Sequence, residues 1–231
     1  MNKINFSALT DTVDLESQND PCFDVPSRMG IYGPSQSGKS TLILQLLKHR
    51  ETVYAKKFQK FFYCLPQNKA ESRTKFISEL REICGEIILC EGFPDLDEHY
   101  MKNEAEAKLV IFDDLSTSLI NNKYFYELLT QDSHHFNISV IYTSQNFFEK
   151  SREHGHGLAK QISIKIVFND KSDKTVLKSI GRKSFNDQNY LVKAMSEVVT
   201  FFPEDRCHYL VIGKLSNYFT RKKSIFLLLR N

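Results

Sequence analysis

From Arg28 onward, short apolar runs alternate with segments whose apolar residues recur at helical spacing. This alternation is typical of βα units, which build a mostly parallel sheet covered by helices on both faces. The runs are rich in β-branched and aromatic residues, which favour strands. The pattern predicts strands at residues 29–32, 61–64, 86–90, 109–112, 139–143, 163–168, 209–213 and 224–229.

Helices are expected to fill most of the gaps between these strands. The clearest candidate is residues 41–49, where Leu42 and Leu46 are four residues apart, and further helices are predicted at 124–129 and 187–199. The last two strands are joined by residues 214–223 and predict an antiparallel hairpin at one edge of the sheet. The expected fold class is therefore α/β, with a twisted, mostly parallel sheet and an antiparallel C-terminal hairpin.

The first 26 residues differ from the rest of the chain. They are polar and lack sustained periodicity, so residues 1–26 are predicted to be an N-terminal extension. Residues 27–231 are predicted to form one domain, which is an ordinary size for an α/β fold.

Charge and cysteine usage restrict the classes of protein that the chain could be. The formal net charge is +3, so contact with nucleic acid would have to come from local basic patches. The five cysteines form no CxxC pair, which predicts reduced thiols and an intracellular location in the cytoplasm or nucleus. The longest apolar runs are far shorter than the roughly 18 residues of a membrane span, so no span is expected.

One motif carries specific chemistry. The segment from Gly33 to Ser40 reads GPSQSGKS and matches the phosphate-loop pattern GxxxxGK[ST] without a gap. A predicted strand precedes it and an apolar helix follows, so backbone N–H groups can converge on a phosphate. Lys39 would bridge the β- and γ-phosphates of a nucleotide, and the Ser40 hydroxyl would bind Mg²⁺. The predicted nucleotide-binding residues are Gly33, Pro34, Ser35, Gln36, Ser37, Gly38, Lys39, Ser40 and Thr41.

Two carboxylates follow a second buried strand. Asp113 and Asp114 come directly after the apolar run 109–112. A phosphate loop needs an acidic residue at the end of a neighbouring strand to hold Mg²⁺, and Asp113 is predicted in that role. Asp114 is predicted to orient or deprotonate the attacking water.

A side-chain amide follows a third strand. Gln145 comes after the apolar run 138–142 and two hydroxyl residues. An amide at this edge can hydrogen-bond both the γ-phosphate and the attacking water. Gln145 is therefore predicted to sense the state of the nucleotide, with a turn-capping role as the alternative.

With these elements in this order, the chain resembles the FtsK–HerA superfamily of RecA/ASCE-like P-loop NTPases. It is most similar to the genome-packaging ATPases of poxviruses, large DNA viruses and Polinton/Maverick or adintovirus-like elements. The resemblance covers roughly residues 25–231 and is carried by IYGPSQSGKST from Ile31, LVIFDDL from Leu109 and SVIYTSQNFF from Ser139.

The resemblance implies a motor that uses ATP and Mg²⁺ to thread double-stranded DNA into a capsid. It also implies a homo-oligomeric ring, a capsid or portal-vertex protein as partner, and transient location at the virion vertex. Ring ATPases of this kind usually supply an arginine finger from the neighbouring subunit. Arg152, in the polar segment 149–160, is the first candidate for that finger.

Other classes of P-loop protein require motifs of their own. A signalling GTPase needs a late [NT]KxD motif and an ABC-type ATPase needs an LSGGQ-like signature, and the sequence contains neither. A small-molecule kinase of the nucleotide type, or another P-loop NTPase that does not act on DNA, remains the alternative.

Overall fold

The structure is a computed structural model that describes residues 23–95, 103–148, 160–201, 203–204, 207–213 and 224–226. Within these residues eight strands form one sheet, in the spatial order β3-β2-β4-β5-β1-β6-β7-β8. The strands are β1 Arg28–Tyr32, β2 Lys60–Leu65, β3 Ile88–Glu91, β4 Lys108–Phe112, β5 Ile138–Ser144, β6 Ile164–Phe168, β7 Tyr209–Gly213 and β8 Ser224–Phe226.

The sheet is parallel from β3 to β6 and antiparallel at its C-terminal edge. Strand β1 lies between β5 and β6 and is parallel to both. Strand β7 pairs antiparallel with β6, and β8 pairs antiparallel with β7. The predicted fold class, including the antiparallel hairpin, is confirmed.

Helices connect the strands and cover the sheet. They are α1 Lys39–Lys48, α2 Arg50–Val53, α3 Thr74–Cys84, α4 Ser116–Leu119, α5 Lys123–Glu127, α6 Ser133–His135, α7 Thr175–Phe185 and α8 Tyr190–Phe201. A π-helical turn, Leu128–Asp132, joins α5 to α6, and a 3₁₀ turn, Glu71–Arg73, leads into α3.

Two apolar layers hold the helices on the sheet, because side chains alternate between its faces. In β4, Leu109 and Ile111 face the layer that contains α1 and α3, whereas Val110 and Phe112 face the layer that contains α5, α7 and α8. All four of these side chains are 2% exposed or less. Burial on both faces explains why the central strands are continuous apolar runs in the sequence.

Some predicted boundaries were wrong. The strand predicted at 86–90 begins two residues later, because Gly85 adopts a φ of 80° after α3 and the ladder with β2 starts at Ile88 opposite Phe62. The helix predicted at 124–129 is the first part of a longer helical segment that begins at Lys123 and runs through the π turn to His135. The helix predicted at 187–199 spans Tyr190–Phe201. Residues 227–229 of the last predicted strand lie outside the described residues.

The beginning of the described chain packs into the core. Phe23 and Val25 are 1% and 7% exposed, and Phe23 forms a parallel bridge with Tyr54. Most of the predicted N-terminal extension, residues 1–22, lies outside the described residues, so that assignment stays a prediction. In the part of the chain that is described, no helix is both long enough and apolar enough to cross a membrane.

Candidate nucleotide-binding site

The loop between β1 and α1 wraps around the start of the helix. Gly33 follows β1 and its N–H donates to the Ser144 carbonyl at 3.2 Å, which fixes the loop to the end of β5. Gly38 caps α1 with a φ of 97°, and Leu42 N–H closes the first helical turn on the Gly38 carbonyl at 2.9 Å. The N–H groups of a helix's first turn have no partner within the helix. The loop therefore leads directly into the N-terminus of α1, where the motif predicts a bound phosphate.

Two glycines in this loop are required by close packing. A Cβ on Gly33 would lie 2.7 Å from the Phe168 Cβ and 2.8 Å from the Ser37 Oγ. A Cβ on Gly38 would lie 2.8 Å from the Cys207 Sγ, in a left-handed conformation that L residues rarely adopt. Phe168 at the end of β6 and Cys207, two residues before β7, thus pack against the loop and restrict its shape.

The Lys39 side chain folds back over the loop. Its Nζ donates to the carbonyl oxygens of Gly33 at 2.8 Å and Pro34 at 2.7 Å, and the residue is 8% exposed. Burial is the largest cause that lowers the pKa of Lys39, and the nearby Asp114 and Asp113 carboxylates oppose this change.

Asp113 is a buried carboxylate held by two neighbouring strands. It is 2% exposed and directly follows β4. Tyr63 on β2 donates its hydroxyl to Asp113 Oδ2 at 2.8 Å, and Thr143 on β5 donates to Oδ1 at 2.8 Å. Burial and then the Asp113 charge raise the pKa of Tyr63, so its hydroxyl remains a proton donor. These two bonds fix the direction of the carboxylate.

Asp114 is placed differently, although it is the next residue. It adopts a left-handed φ of 55°, which turns its side chain outward to 42% exposure. Its N–H donates to Thr143 Oγ1 at 3.0 Å. Thr143 therefore bonds both acidic residues, and it links the end of β4 to the end of β5.

Arg73 is the site residue that sequence reasoning missed. Its Nη1 lies 3.3 Å from both Ser40 Oγ and Asp113 Oδ2, and its Nη2 lies 2.9 Å from Asp114 Oδ2. It lies in the polar segment after β2, the strand next to β4. The carboxyl ends of parallel strands meet at one edge of a sheet, so polar residues after β2 were candidates for the nucleotide site. The position of Arg73 after this strand was the signal in the sequence that could have indicated its role.

A cleft of about 340 Å³ brings most of the predicted residues together, but Gly33, Pro34 and Ser37 do not line it. Gln145, which is exposed at the end of β5, reaches the same cleft and also a neighbouring cavity beside Gly33 and Pro34. Arg152 lies outside the described residues and stays a prediction. The residues that meet in the cleft are Ser35, Gln36, Gly38, Lys39, Ser40, Thr41, Arg73, Asp113, Asp114 and Gln145.

The order of the strands in the sheet identifies the fold. Strand β5, which Gln145 directly follows, lies between the strand of the loop and the strand of Asp113, as in RecA/ASCE-like proteins. The chain has a P-loop NTPase fold. No family model and no curated protein matches the sequence.

Solved structures of similar fold are found at low identity. The flagellar accessory protein FlaH from Methanocaldococcus jannaschii has a TM-score of 0.42 and 13% identity, over 88% of this chain and 85% of that chain. A KaiC-like protein from the archaeon Pyrococcus horikoshii has a TM-score of 0.39 and 14% identity, over 64% and 76%. The cytoplasmic domain of EssC has a TM-score of 0.40 and 21% identity, over 70% of this chain. The match spans only 35% of the EssC chain.

The oxygen atoms in the cleft fit Mg²⁺. This ion is usually bound by one or two protein oxygens together with phosphates and water, rather than by an all-protein cage. Ser40 supplies a hydroxyl and Asp113 a carboxylate, in the same cleft as the loop. Among the described residues, no cluster of three or more His, Cys, Asp or Glu could hold a metal ion.

Proposed function

We propose that the protein is a Mg²⁺-dependent ATP hydrolase. The observation that carries the proposal is the convergence of Lys39, Ser40, Asp113, Asp114 and Gln145 in one cleft, although they come from three separate parts of the sequence. A cationic donor, two hard oxygen ligands, a second carboxylate and an amide are the groups that phosphoryl transfer to water requires.

Each residue has a distinct role in this proposal. Lys39 would turn from the Gly33 and Pro34 carbonyls to the β- and γ-phosphates, and Ser40 and Asp113 would hold a magnesium ion. The ion, when bound, neutralises charge on the transferring phosphoryl group. Asp114 orients the attacking water, since its carboxylate is exposed beside the buried Asp113. Gln145 hydrogen-bonds the terminal phosphate and the water.

We further propose that the chain belongs to the FtsK–HerA superfamily and translocates double-stranded DNA. Its sequence resemblance to viral genome-packaging ATPases supports this assignment, as does the position of Gln145 directly after β5, the strand between the loop strand and the Asp113 strand. In this proposal the protein forms a homo-oligomeric ring in the host cytoplasm or nucleus. It docks transiently on a capsid or portal-vertex protein and packages a viral or virus-like genome.

The test measures phosphate release from ATP with and without linear double-stranded DNA, while the mass of the assembly is followed in parallel. We expect hydrolysis that depends on Mg²⁺ and rises with DNA. Lys39→Ala should lower the rate by about a hundredfold or more, since it removes charge stabilisation of the transition state. Lys48→Ala, an exposed lysine at the end of the same helix, is the matched control.

The outcomes separate the parts of the proposal. Unchanged turnover in a folded Lys39→Ala variant would exclude the nucleotide site. An ATPase rate that saturating duplex DNA leaves unchanged, in an assembled wild type, would exclude DNA translocation. ATP consumption that requires a small-molecule acceptor and releases no phosphate would instead identify a kinase.

A further inference from the structure

Arg73 contacts the same oxygens that the proposed function assigns to magnesium. One guanidinium nitrogen, Nη1, lies 3.3 Å from both Ser40 Oγ and Asp113 Oδ2. A guanidinium stays protonated in proteins, so Arg73 carries its positive charge permanently. Arg73 and a magnesium ion therefore cannot use Ser40 and Asp113 at the same time.

A contact with Asp114 would keep the Arg73 side chain at the cleft if it left Ser40 and Asp113. The shortest of its three contacts, 2.9 Å, joins Nη2 to Asp114 Oδ2. Asp114 is 42% exposed, whereas Asp113 is 2% exposed, so the Asp114 carboxylate is free to move with the guanidinium. Loss of the two longer contacts would leave Arg73 tied to Asp114 at the edge of the cleft.

The backbone that carries Arg73 is firmly placed. Arg73 ends a 3₁₀ turn and immediately precedes α3. Helix α3 packs on the sheet through Ile77 and Leu80, which are 5% and 0% exposed. The Arg73 side chain is partly exposed, at 28%, and lines the cleft with Lys39 and Gln145. A fork of N–H donors on a fixed backbone is well suited to bind phosphate oxygens.

We propose that Arg73 binds the terminal phosphate of the nucleotide in its own subunit when Ser40 and Asp113 hold magnesium. The inference rests on the proposed nucleotide site and adds a substrate-binding residue to it. Arg73 would act within the chain, so its role differs from that of a finger supplied by a neighbouring subunit. It would also distinguish ATP from ADP, because only ATP carries the γ-phosphate.

The experiment measures the affinities of ATP and ADP separately, at saturating Mg²⁺, by calorimetry. The proteins are the full chain, Arg73→Gln, Arg73→Lys and the control Arg81→Gln, an exposed arginine on α3. The wild type must bind ATP more tightly than ADP. We expect Arg73→Gln to weaken ATP binding by about tenfold to a hundredfold, the usual effect of losing a hydrogen bond to a charged group. ADP binding should change by less than about threefold or become tighter.

Arg73→Lys should keep part of the preference for ATP, since it retains the charge without the fork. Arg81→Gln should leave both affinities unchanged. Equal losses for ATP and ADP in a folded Arg73→Gln variant would overturn the assignment and leave Arg73 a structural ion-pair partner. An unchanged preference for ATP would overturn it as well. A wild type that binds neither nucleotide would overturn the proposed function first, and this inference with it.

Discussion

Two adjacent aspartates have different environments, and the difference separates their proposed roles. Asp113 is buried and receives hydrogen bonds from Tyr63 and Thr143. Asp114 projects outward because its backbone turns to a positive φ. A buried, oriented carboxylate is suited to hold a cation, whereas an exposed one can reach a water molecule.

We expect Asp114→Asn to bind ATP and to block the chemical step. The amide keeps the size of the side chain but cannot accept a proton, so a complex with uncleaved ATP should accumulate. Single-turnover measurements would show ATP retained on the protein, with the phosphate-release rate reduced by about a hundredfold or more. The Asp113→Asn variant is the comparison, and it should lose Mg²⁺-dependent binding. If Asp114→Asn also lost nucleotide binding, the two carboxylates would have to exchange roles.

At the scale of single residues, the motif residues of the site were predictable and their supporting residues were not. Lys39 and Ser40 belong to a motif with a fixed spacing, and Asp113 directly follows a buried apolar run, so the sequence alone predicts that they share one cleft. Arg73 is 33 residues from Ser40 and belongs to no motif. Tyr63 reads as an ordinary strand residue, and its contact with Asp113 depends on the register between β2 and β4.

At the scale of elements, the strands were predicted better than the helices. Buried parallel strands are continuous apolar runs, so the run itself marks the strand. Helix α3 was not predicted individually, because only Ile77 and Leu80 of its eleven residues are buried. A π turn does not follow the 3.6-residue spacing of apolar residues that predicts an α-helix. The predicted helix therefore stopped at residue 129, within the π turn between α5 and α6.

The loop before α1 should be sensitive to a single methyl group. We expect Gly38→Ala to lower the free energy of unfolding by about 1–2 kcal/mol from left-handed strain alone. The new Cβ would also meet the Cys207 Sγ at 2.8 Å. Urea denaturation would measure the loss. Adding Cys207→Ala should recover part of it, because the sulfur contact is removed while the backbone strain remains. A Gly38→Ala protein as stable as the wild type would contradict this account of the loop.

At the scale of the whole molecule, one subunit has a formal net charge of only +3. A ring repeats each local basic patch by symmetry around its channel, so a modest charge per subunit can still attract a duplex. The proposed ring thus reconciles the composition of the chain with a polyanionic partner.

The ring makes a prediction about mixed assemblies. Arg152→Ala and Lys39→Ala should each be nearly inactive alone, since an arginine finger contributes about 10³ to 10⁵ in rate. Mixed together, they should regain part of the ATPase activity. Some junctions would then pair an intact loop with an intact arginine from the neighbouring subunit. Failure to recover, with co-assembly demonstrated by mass, would remove Arg152 as the trans-acting residue.

The position of β1 has a mechanical consequence. The nucleotide loop is a direct continuation of this strand, and β1 is paired with β5 over five residues and with β6 over four. A pull along the strand axis would strain both ladders in shear, so many hydrogen bonds would resist together instead of opening one after another. A force applied at Gly33 would therefore be distributed over β5 and β6, and the loop could transmit it without β1 separating from the sheet.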